Sequence, residues 1–534
     1  MNIADVLRAR AHQRPKAPAI IDTFRGRRRV TTFADLDALA DRGAAGLIRS
    51  GIRPGDGVLL LQPMSAELYA ALVAVFRAGA AATFLDPSAG LAHIDRCSEI
   101  YPPEALIASP KAHLLRLVSG AIRRIPRKFS TGMPLPGTAV FPGTGRVPLP
   151  ETSSEAALIT FTSGSTGLPK AALRTHDFLM AQYRVLESTL ALTEGDVDLA
   201  TLPVFLLANL ASGVTSLIPN ADLRRPGEVD GDGIAGQIAS ESVSSVAASP
   251  AFLDRITAAC RRTSRRLESL RKVFVGGAPV FPPLLDRLRA VMPNAVITSV
   301  YGSTEAEPIC ELRAEAISAD DVTLMQGGRG LLAGLPVPCI ALRIMKESWG
   351  RPVGPHTLSS FEADCVPPGV PGEIVVSGPH VLAGYLGGRG DEETKLRVDG
   401  SVWHRTGDCG YLDDKGRVWM LGRAAARISD EAGALYPFSV ECALSFVPEI
   451  RRTAIAAAGG KRLLFLEWSG EPGDTKSIRQ LIPWAYIDAI QPCRKIPVDR
   501  RHNAKVDYVA LSRMAKSHGL EDYRTVRKTP PGDV

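Results

Sequence analysis

A chain of 534 residues is longer than one hydrophobic core normally organises, so at least two domains are expected. Hydrophobic residues make up 45% and charged residues 22%, which places it among globular proteins and excludes disordered and fibrous classes. The formal net charge is +7, yet aromatics are only 6% and no nucleic-acid motif accompanies the basic clusters, so solvated basic faces explain the charge better than nucleic-acid binding.

The first ten residues alternate charge with apolar residues and lack the apolar core of a signal peptide. Eight cysteines are scattered singly from Cys97 to Cys493 without metal-ligand spacing, which fits reduced thiols in a cytoplasmic protein. Strand-like runs at Val58–Leu61 and Ala80–Leu85 flank a helical pattern over Ala66–Arg77, an order that argues for an α/β architecture with mainly parallel sheet. Leu114–Phe129 reads as a basic amphipathic stretch on the surface, one that could touch an anionic membrane or an acidic partner. Residues 129–156, rich in Pro, Gly and Thr, read as a loop. Leu199–Ile218 is uncharged for twenty residues; Pro203, Asn209 and several hydroxyl residues interrupt it, so it reads as a buried helix lining an apolar pocket and no integral membrane span is expected. Further strands are expected at Ser245–Ser249, Lys272–Val275 and Val296–Val300, and short strands with Gly turns after Pro367.

Chemistry concentrates first at Leu158–Lys170. An apolar run delivers the backbone into Thr162, Ser163, Gly164, Ser165, Thr166 and Gly167, and Lys170 follows. Such a loop offers N–H groups and hydroxyls with little bulk, as phosphate oxygens require. It is not a Walker A loop, because Leu168-Pro169 precede the lysine and Ala171–Arg174 continue as a strand. Phe274–Pro279 is a strand ending in small residues (Gly277, Ala278), suited to the approach of a flat ring. Tyr301-Gly302-Ser303-Thr304-Glu305 places an aromatic face, hydroxyls and a carboxylate at a strand end, where α/β ligand sites gather. Trp403–Asp408 ends in an acid able to accept both hydroxyls of a ribose, and Arg500–Lys505 presents a lysine in a basic turn. Each alone has a dull reading as a turn or solvated side chain; all of them in this order do not.

On these motifs the whole chain resembles the adenylate-forming superfamily of acyl-CoA synthetases, luciferases and peptide-synthetase adenylation domains. The resemblance implies a large N-terminal domain of two αβ subdomains plus a β-rich piece (residues 1–422) and a small mobile α+β lid (423–534). It implies a ligase using ATP and Mg²⁺: Thr162–Gly167 and Lys170 on the β- and γ-phosphates, Gly277, Ala278 and Tyr301 around adenine, Thr304 on the α-phosphate, Glu305 on Mg²⁺, Asp408 and Arg423 on ribose, and Lys505 between the α-phosphate and the substrate carboxylate.

Segments including Pro103–His113, Val197–Phe205, Gly213–Pro219 and Pro497–Lys505 are most similar to the olefin-pathway β-lactone synthetases, which implies an aliphatic β-hydroxy acid, activated as acyl-AMP and closed to a lactone by its own hydroxyl. Departures from CoA-ligase patterns point the same way: Leu206 where an aromatic–His pair is usual, Ala425 at the hinge usually held by Asp or Lys, and an acidic Ser429–Ala434 loop without a glycine pair. Intramolecular closure needs no CoA, whereas CoA ligation remains the alternative and transfer to an acyl-carrier protein or another pathway enzyme comes third. The Leu, Val and Ala content of Leu199–Ile218 argues for an aliphatic over an aryl acid.

Overall fold

The computed structural model describes residues 2–86, 89–145, 147–150, 155–163, 169–498 and 505–517. Two large sheets dominate them. The first has seven strands in the order Ala139–Phe141, Arg127–Thr131, Pro103–Ala108, Gly57–Leu61, Ala81–Phe84, Ala156–Ser163, Pro169–Thr175, all parallel except the last pair. The second begins with the antiparallel edge pair Arg27–Thr32 and Pro18–Phe24 and then runs parallel through Thr215–Leu217, Val197–Ala200, Ser245–Ala248, Lys272–Gly276 and Val296–Ser303. It then continues, through antiparallel pairs, into a β-rich portion that ends on Ser401–Leu412, Gly372–Ser377 and Ala341–Met345. Parallel strands buried on both faces read as continuous apolar runs, which is why Gly57–Leu61 is buried throughout.

The helix Ala66–Arg77 shows why its sequence has no polar face. Every residue except Glu67 is buried, and the helix sits in the core cluster that also takes in strands of both sheets. Ser65 caps it by accepting from Leu68 N, and Arg77 at its far end is ion-paired with Asp37 and Asp41 of the preceding helix Phe33–Arg49. The segment Leu199–Ile218 is not the single helix expected from its apolar content. Pro203 starts a helix over Pro203–Ser212, Gly213 ends it with φ +74°, and strands Val197–Ala200 and Thr215–Leu217 stand on either side. Leu114–Phe129 likewise breaks into short helical turns (Leu115–Val118, Gly120–Arg124) and the strand Arg127–Thr131. Ser119 is extended between the turns and its hydroxyl accepts from Ile122 N. The loop expected over 129–156 contains the strand Ala139–Phe141.

Arg423 is the last residue of strand Val418–Arg423 of the large sheet. Beyond it stand a two-stranded hairpin (Ile428–Asp430, Gly433–Leu435) and a three-stranded sheet (Ile450–Ala458, Lys461–Trp468, Ala489–Pro492). This C-terminal part rests on the larger one through the Phe281–Phe438 ring contact at 5.8 Å and through Glu347, which takes Arg427 at 3.0 Å and the Tyr436 hydroxyl at 3.1 Å.

One buried ion pair fixes the β-rich portion. Arg405 and Glu373, with side chains 2% and 1% exposed, meet at 2.7 Å across neighbouring strands, and the guanidinium also donates to the carbonyls of Arg351 and Glu393 and lies over Trp349. Removing one member strands a charge out of water. Glu373→Ala should therefore lower the unfolding free energy by about 3–5 kcal/mol, read from urea denaturation. A loss below about 1 kcal/mol would show that Arg405 finds another partner.

Candidate functional site

The two sheets meet where strands end. Arg174, on the edge strand Pro169–Thr175, is buried and donates to Thr160 Oγ1 at 2.6 Å and to the carbonyl of Thr304 at 2.8 Å. A single guanidinium thus ties the hairpin that carries the expected phosphate loop to the strand end that carries Tyr301–Glu305. The chain at Val381–Tyr385 adds a second tie: Val381 bridges Ala306, Leu382 N donates to the Glu305 carbonyl at 2.7 Å, and Tyr385 bridges Ala172.

Thr162 stands directly across the hairpin from Lys170; Gly164, Ser165, Thr166 and Gly167 lie outside the described residues. Lys170 is buried, and its ammonium meets Glu393 at 3.0 Å and lies 5.6 Å from the Tyr385 ring centre. Lys395 approaches the same ring at 5.6 Å, and the Tyr385 hydroxyl donates to Glu305 Oε1 at 2.8 Å. Tyr385 therefore joins Lys170, Lys395 and Glu305 through one side chain.

The charges around Glu305 decide its state. Burial alone would push its carboxyl up, but the His404–Lys395 side and the Tyr385 hydrogen bond outweigh burial and leave it below its ordinary value. His404 is held down at about 3, by burial first and by Lys395 second, so at neutral pH the nearby positive charge is that of Lys395. Burial lowers Lys395 to about 8, which keeps it protonated there. Lys395 and His404 face each other across adjacent strands, with Nζ and Nδ1 3.2 Å apart. Among the described residues no three His, Cys, Asp or Glu side chains gather to hold a metal. An ionised Glu305 on its own suits a hard cation whose other ligands are phosphate and water oxygens.

A second group forms on Asp408. Tyr301 donates to its Oδ2 at 2.8 Å, Arg423 stands opposite it across the strand pair and reaches Oδ1 at 3.2 Å, and Arg423 also donates to the Thr406 carbonyl at 3.0 Å. Burial, then Asp408, pushes the Tyr301 phenol far up, so it stays a donor. Gly302 and Ser303 close the strand beside it, Ser303 Oγ accepting from Glu305 N at 3.3 Å. Gly277 is exposed with φ +80° and has open space where a Cβ would stand; Ala278 beside it is half-exposed. Lys505 is half-buried next to Val506, which bridges Val498, at the margin of the C-terminal part.

Between these strand ends lies an apolar pocket walled by Leu186, Leu190, Leu202, Phe205 and Phe274, reaching Gly277 and Gly302. Its enclosed free volume is about 20 Å³, room for roughly one water. Among the described residues Glu307 is the one charged residue lining it. Leu202 and Phe205 are what the uncharged segment Leu199–Ile218 contributes; Leu206 turns into the core between the sheets and leaves the pocket wall unaffected. The sequence reading passed over Tyr385, Lys395, His404, Arg174 and Glu307. His404 and Glu307 sit inside or beside motifs it quoted, whereas Tyr385 and Lys395 carry no local signal.

The AMP-binding enzyme family matches residues 7–386, and the chain belongs to that family of adenylate-forming ligases. It is 30% identical over 502 residues to the olefin beta-lactone synthetase of Stenotrophomonas maltophilia, covering 89% of each chain, and 30% identical over 510 residues to that of Xanthomonas campestris, again 89% of each. It is 26% identical to 4-coumarate–CoA ligase 3 of rice (Oryza sativa subsp. japonica), over 86% of this chain and 80% of that one. Its fold is similar to that of the amide bond synthetase McbA from Marinactinospora thermotolerans (TM-score 0.78, 23% identity, 95% and 99% coverage). It is likewise similar to the O-succinylbenzoate coenzyme A synthetase of Bacillus subtilis, solved with ATP and magnesium (TM-score 0.76, 22% identity, 95% and 99% coverage).

The buried His404 makes a pH prediction. Its folded value of about 3 lies below the ordinary 6.5, so between them the unfolded chain holds a proton that the folded one does not. Stability from this residue is therefore complete above about pH 6.5 and lost as pH falls toward 3. Denaturation midpoints between about pH 4 and pH 6.5 should show His404→Gln losing a slope of about 1.4 kcal/mol per pH unit relative to the parent. An unchanged slope would contradict this assignment.

Proposed function

We propose that this AMP-binding enzyme activates an aliphatic β-hydroxy acid as its acyl-AMP, releasing pyrophosphate, and that the acid's own hydroxyl then displaces AMP to close a β-lactone. The observation that carries the reading is the pocket: among its described lining residues the walls are apolar, none is a cation, and one is a carboxylate, Glu307, two residues from Glu305 and against Gly302, where a Cβ would stand 3.4 Å from Glu307 Cγ. The similarity to two olefin beta-lactone synthetases over nine-tenths of their length supports the same choice.

In the first step a carboxylate oxygen attacks the α-phosphorus of ATP and the bond to pyrophosphate breaks. The reactants are both anions, so neutralisation of charge at the α-phosphate is the main demand. Thr162–Gly167 and Lys170 hold the outer phosphates, Lys170 exchanging Glu393 for phosphate oxygens. Gly277, Ala278 and Tyr301 frame the adenine, and Asp408 with Arg423 takes the ribose hydroxyls. Thr304 contacts the α-phosphate, and Lys505 approaches it together with the acid's carboxylate. Glu305 would hold Mg²⁺, which would supply positive charge against the phosphates. Residues 1–422 act as the nucleotide- and acid-binding domain and 423–534 as the lid that brings Lys505.

In the second step the β-hydroxyl oxygen attacks the acyl carbon, the acyl–phosphate bond breaks and AMP leaves with the electron pair. The hydroxyl proton passes to Glu307. Holding both reacting atoms in one molecule supplies an effective molarity of roughly 10⁵–10⁸ M, which offsets the strain of a four-membered ring. Ala425 fits this scheme: it is exposed in the short turn Ala424–Ala426 directly after the last strand of the large sheet, and closure within one molecule makes no use of a second lid position built for CoA. The 20 Å³ of free space is smaller than an acid's chain, so the pocket has to widen to admit one.

Incubation with ATP, Mg²⁺ and medium- to long-chain β-hydroxy acids should give a product of the acid's mass minus water, without CoA and only when the hydroxyl is present. A product that requires CoA would make the protein an acyl-CoA ligase. Glu307→Gln should keep acid-dependent pyrophosphate release while slowing lactone formation by about 10²–10⁴-fold. Equal loss of both steps would remove Glu307 from the second. Lys505→Ala should lower pyrophosphate release at least about 10²-fold while leaving ATP binding by calorimetry within a few fold.

A further inference from the structure

We infer that the face built by the described residues among 105–145 is a docking surface for an anionic lipid membrane. The 46 residues 105–150 contain seven Lys and Arg and no Asp or Glu, so they hold as much net charge as the whole chain, +7, and the remainder of the sequence is neutral. Charge in a folded protein is ordinarily interspersed, and a segment of one sign marks a surface meant for an opposite one.

The apolar side chains of this segment add what charge alone does not give. The turn Leu115–Val118 has no buried residue, and Leu114, Leu117 and Val118 are 61%, 74% and 60% exposed. Three exposed aliphatic side chains within five residues are no part of the core, because Ser119 breaks the helix and turns the chain before they can pack. Arg116 donates to the Pro136 carbonyl at 3.1 Å and so holds the 132–137 loop, with exposed Met133, beside the turn. Lys111, Arg123 and Arg124 surround these residues and are themselves exposed. Of the neighbouring acids, Glu104 pairs with Arg127 at 3.0 Å, and Asp95 accepts from Ser119 Oγ at 3.0 Å. The crowding of cations is felt locally, since Lys128 lies below its ordinary value through burial and then Arg116.

A short apolar tip ringed by lysine and arginine matches the boundary between acyl chains and anionic headgroups: the aliphatic side chains leave water and the cations stay with the phosphates. An acidic protein would satisfy the charges and leave Leu114, Leu117 and Val118 without a reason to be exposed. The surface is formed by the first sheet's outer strands and their connections, on the opposite edge of that sheet from the hairpin carrying Lys170.

Sedimentation of the full chain with phosphatidylcholine vesicles, with and without phosphatidylglycerol, tests this directly. The protein should pellet with the anionic vesicles and not with the neutral ones, and added salt should release it. Arg123→Gln/Arg124→Gln should weaken binding about thirtyfold and Leu117→Asp about tenfold or more, both with the parent's thermal unfolding midpoint. No pelleting with anionic vesicles at low salt would overturn the inference. So would pelleting that Leu117→Asp leaves unchanged, which reduces the effect to adsorption of charge. Tight binding of poly-glutamate, insensitive to Leu117→Asp, would assign the surface to an acidic protein instead.

Discussion

Arg174 joins the two sheets at the candidate site. Neither sheet alone carries the candidate site: the phosphate hairpin belongs to one, Tyr301–Glu305 and Asp408 to the other. A buried guanidinium must find oxygen acceptors for its donors, and it finds Thr160 Oγ1 on one side and the Thr304 carbonyl on the other. That requirement fixes the distance between hairpin and strand end more tightly than apolar packing would, because packing has no direction and hydrogen bonds do.

The same economy of partners runs through the charges that follow. Tyr385 gives its hydroxyl to Glu305 and its ring to two lysines, so a single aromatic residue sets the carboxylate's orientation and the approach of its counter-charges. Lys395 remains charged at neutral pH while the adjacent His404 does not, which leaves Glu305 ionised beside one positive charge. Asp408 is held in parallel fashion by Tyr301 and Arg423, and the buried Arg405–Glu373 pair keeps its strand in place three residues earlier. A carboxylate prepared in this way meets a cation or a hydroxyl without first reorganising.

Polarity is then graded across the molecule. The groups around Glu305 and Asp408 are charged and mutually satisfied, the pocket beside them is apolar with one carboxylate among its described lining residues, and the far edge of the first sheet collects cations around exposed leucines.

The sequence by itself determined the α/β architecture and the family, because the turns and strand ends that mark them are written in contiguous runs such as Tyr301–Glu305 and Trp403–Asp408. It misjudged Leu199–Ile218, where apolar content spoke for one helix while Pro203 and Gly213 cut the chain into strand, helix and strand. Leu206, where an aromatic–His pair is usual in CoA ligases, turns into the core, and its neighbour Phe205 stands at the pocket wall. Only the tertiary structure decided which residues surround Glu305 and what lines the acid pocket. Tyr385 stands 80 residues from Glu305 and Asp408 stands 107 from Tyr301. Contacts of that span leave no periodicity or spacing in a single chain, since they arise from the crossing of sheets and not from the local backbone.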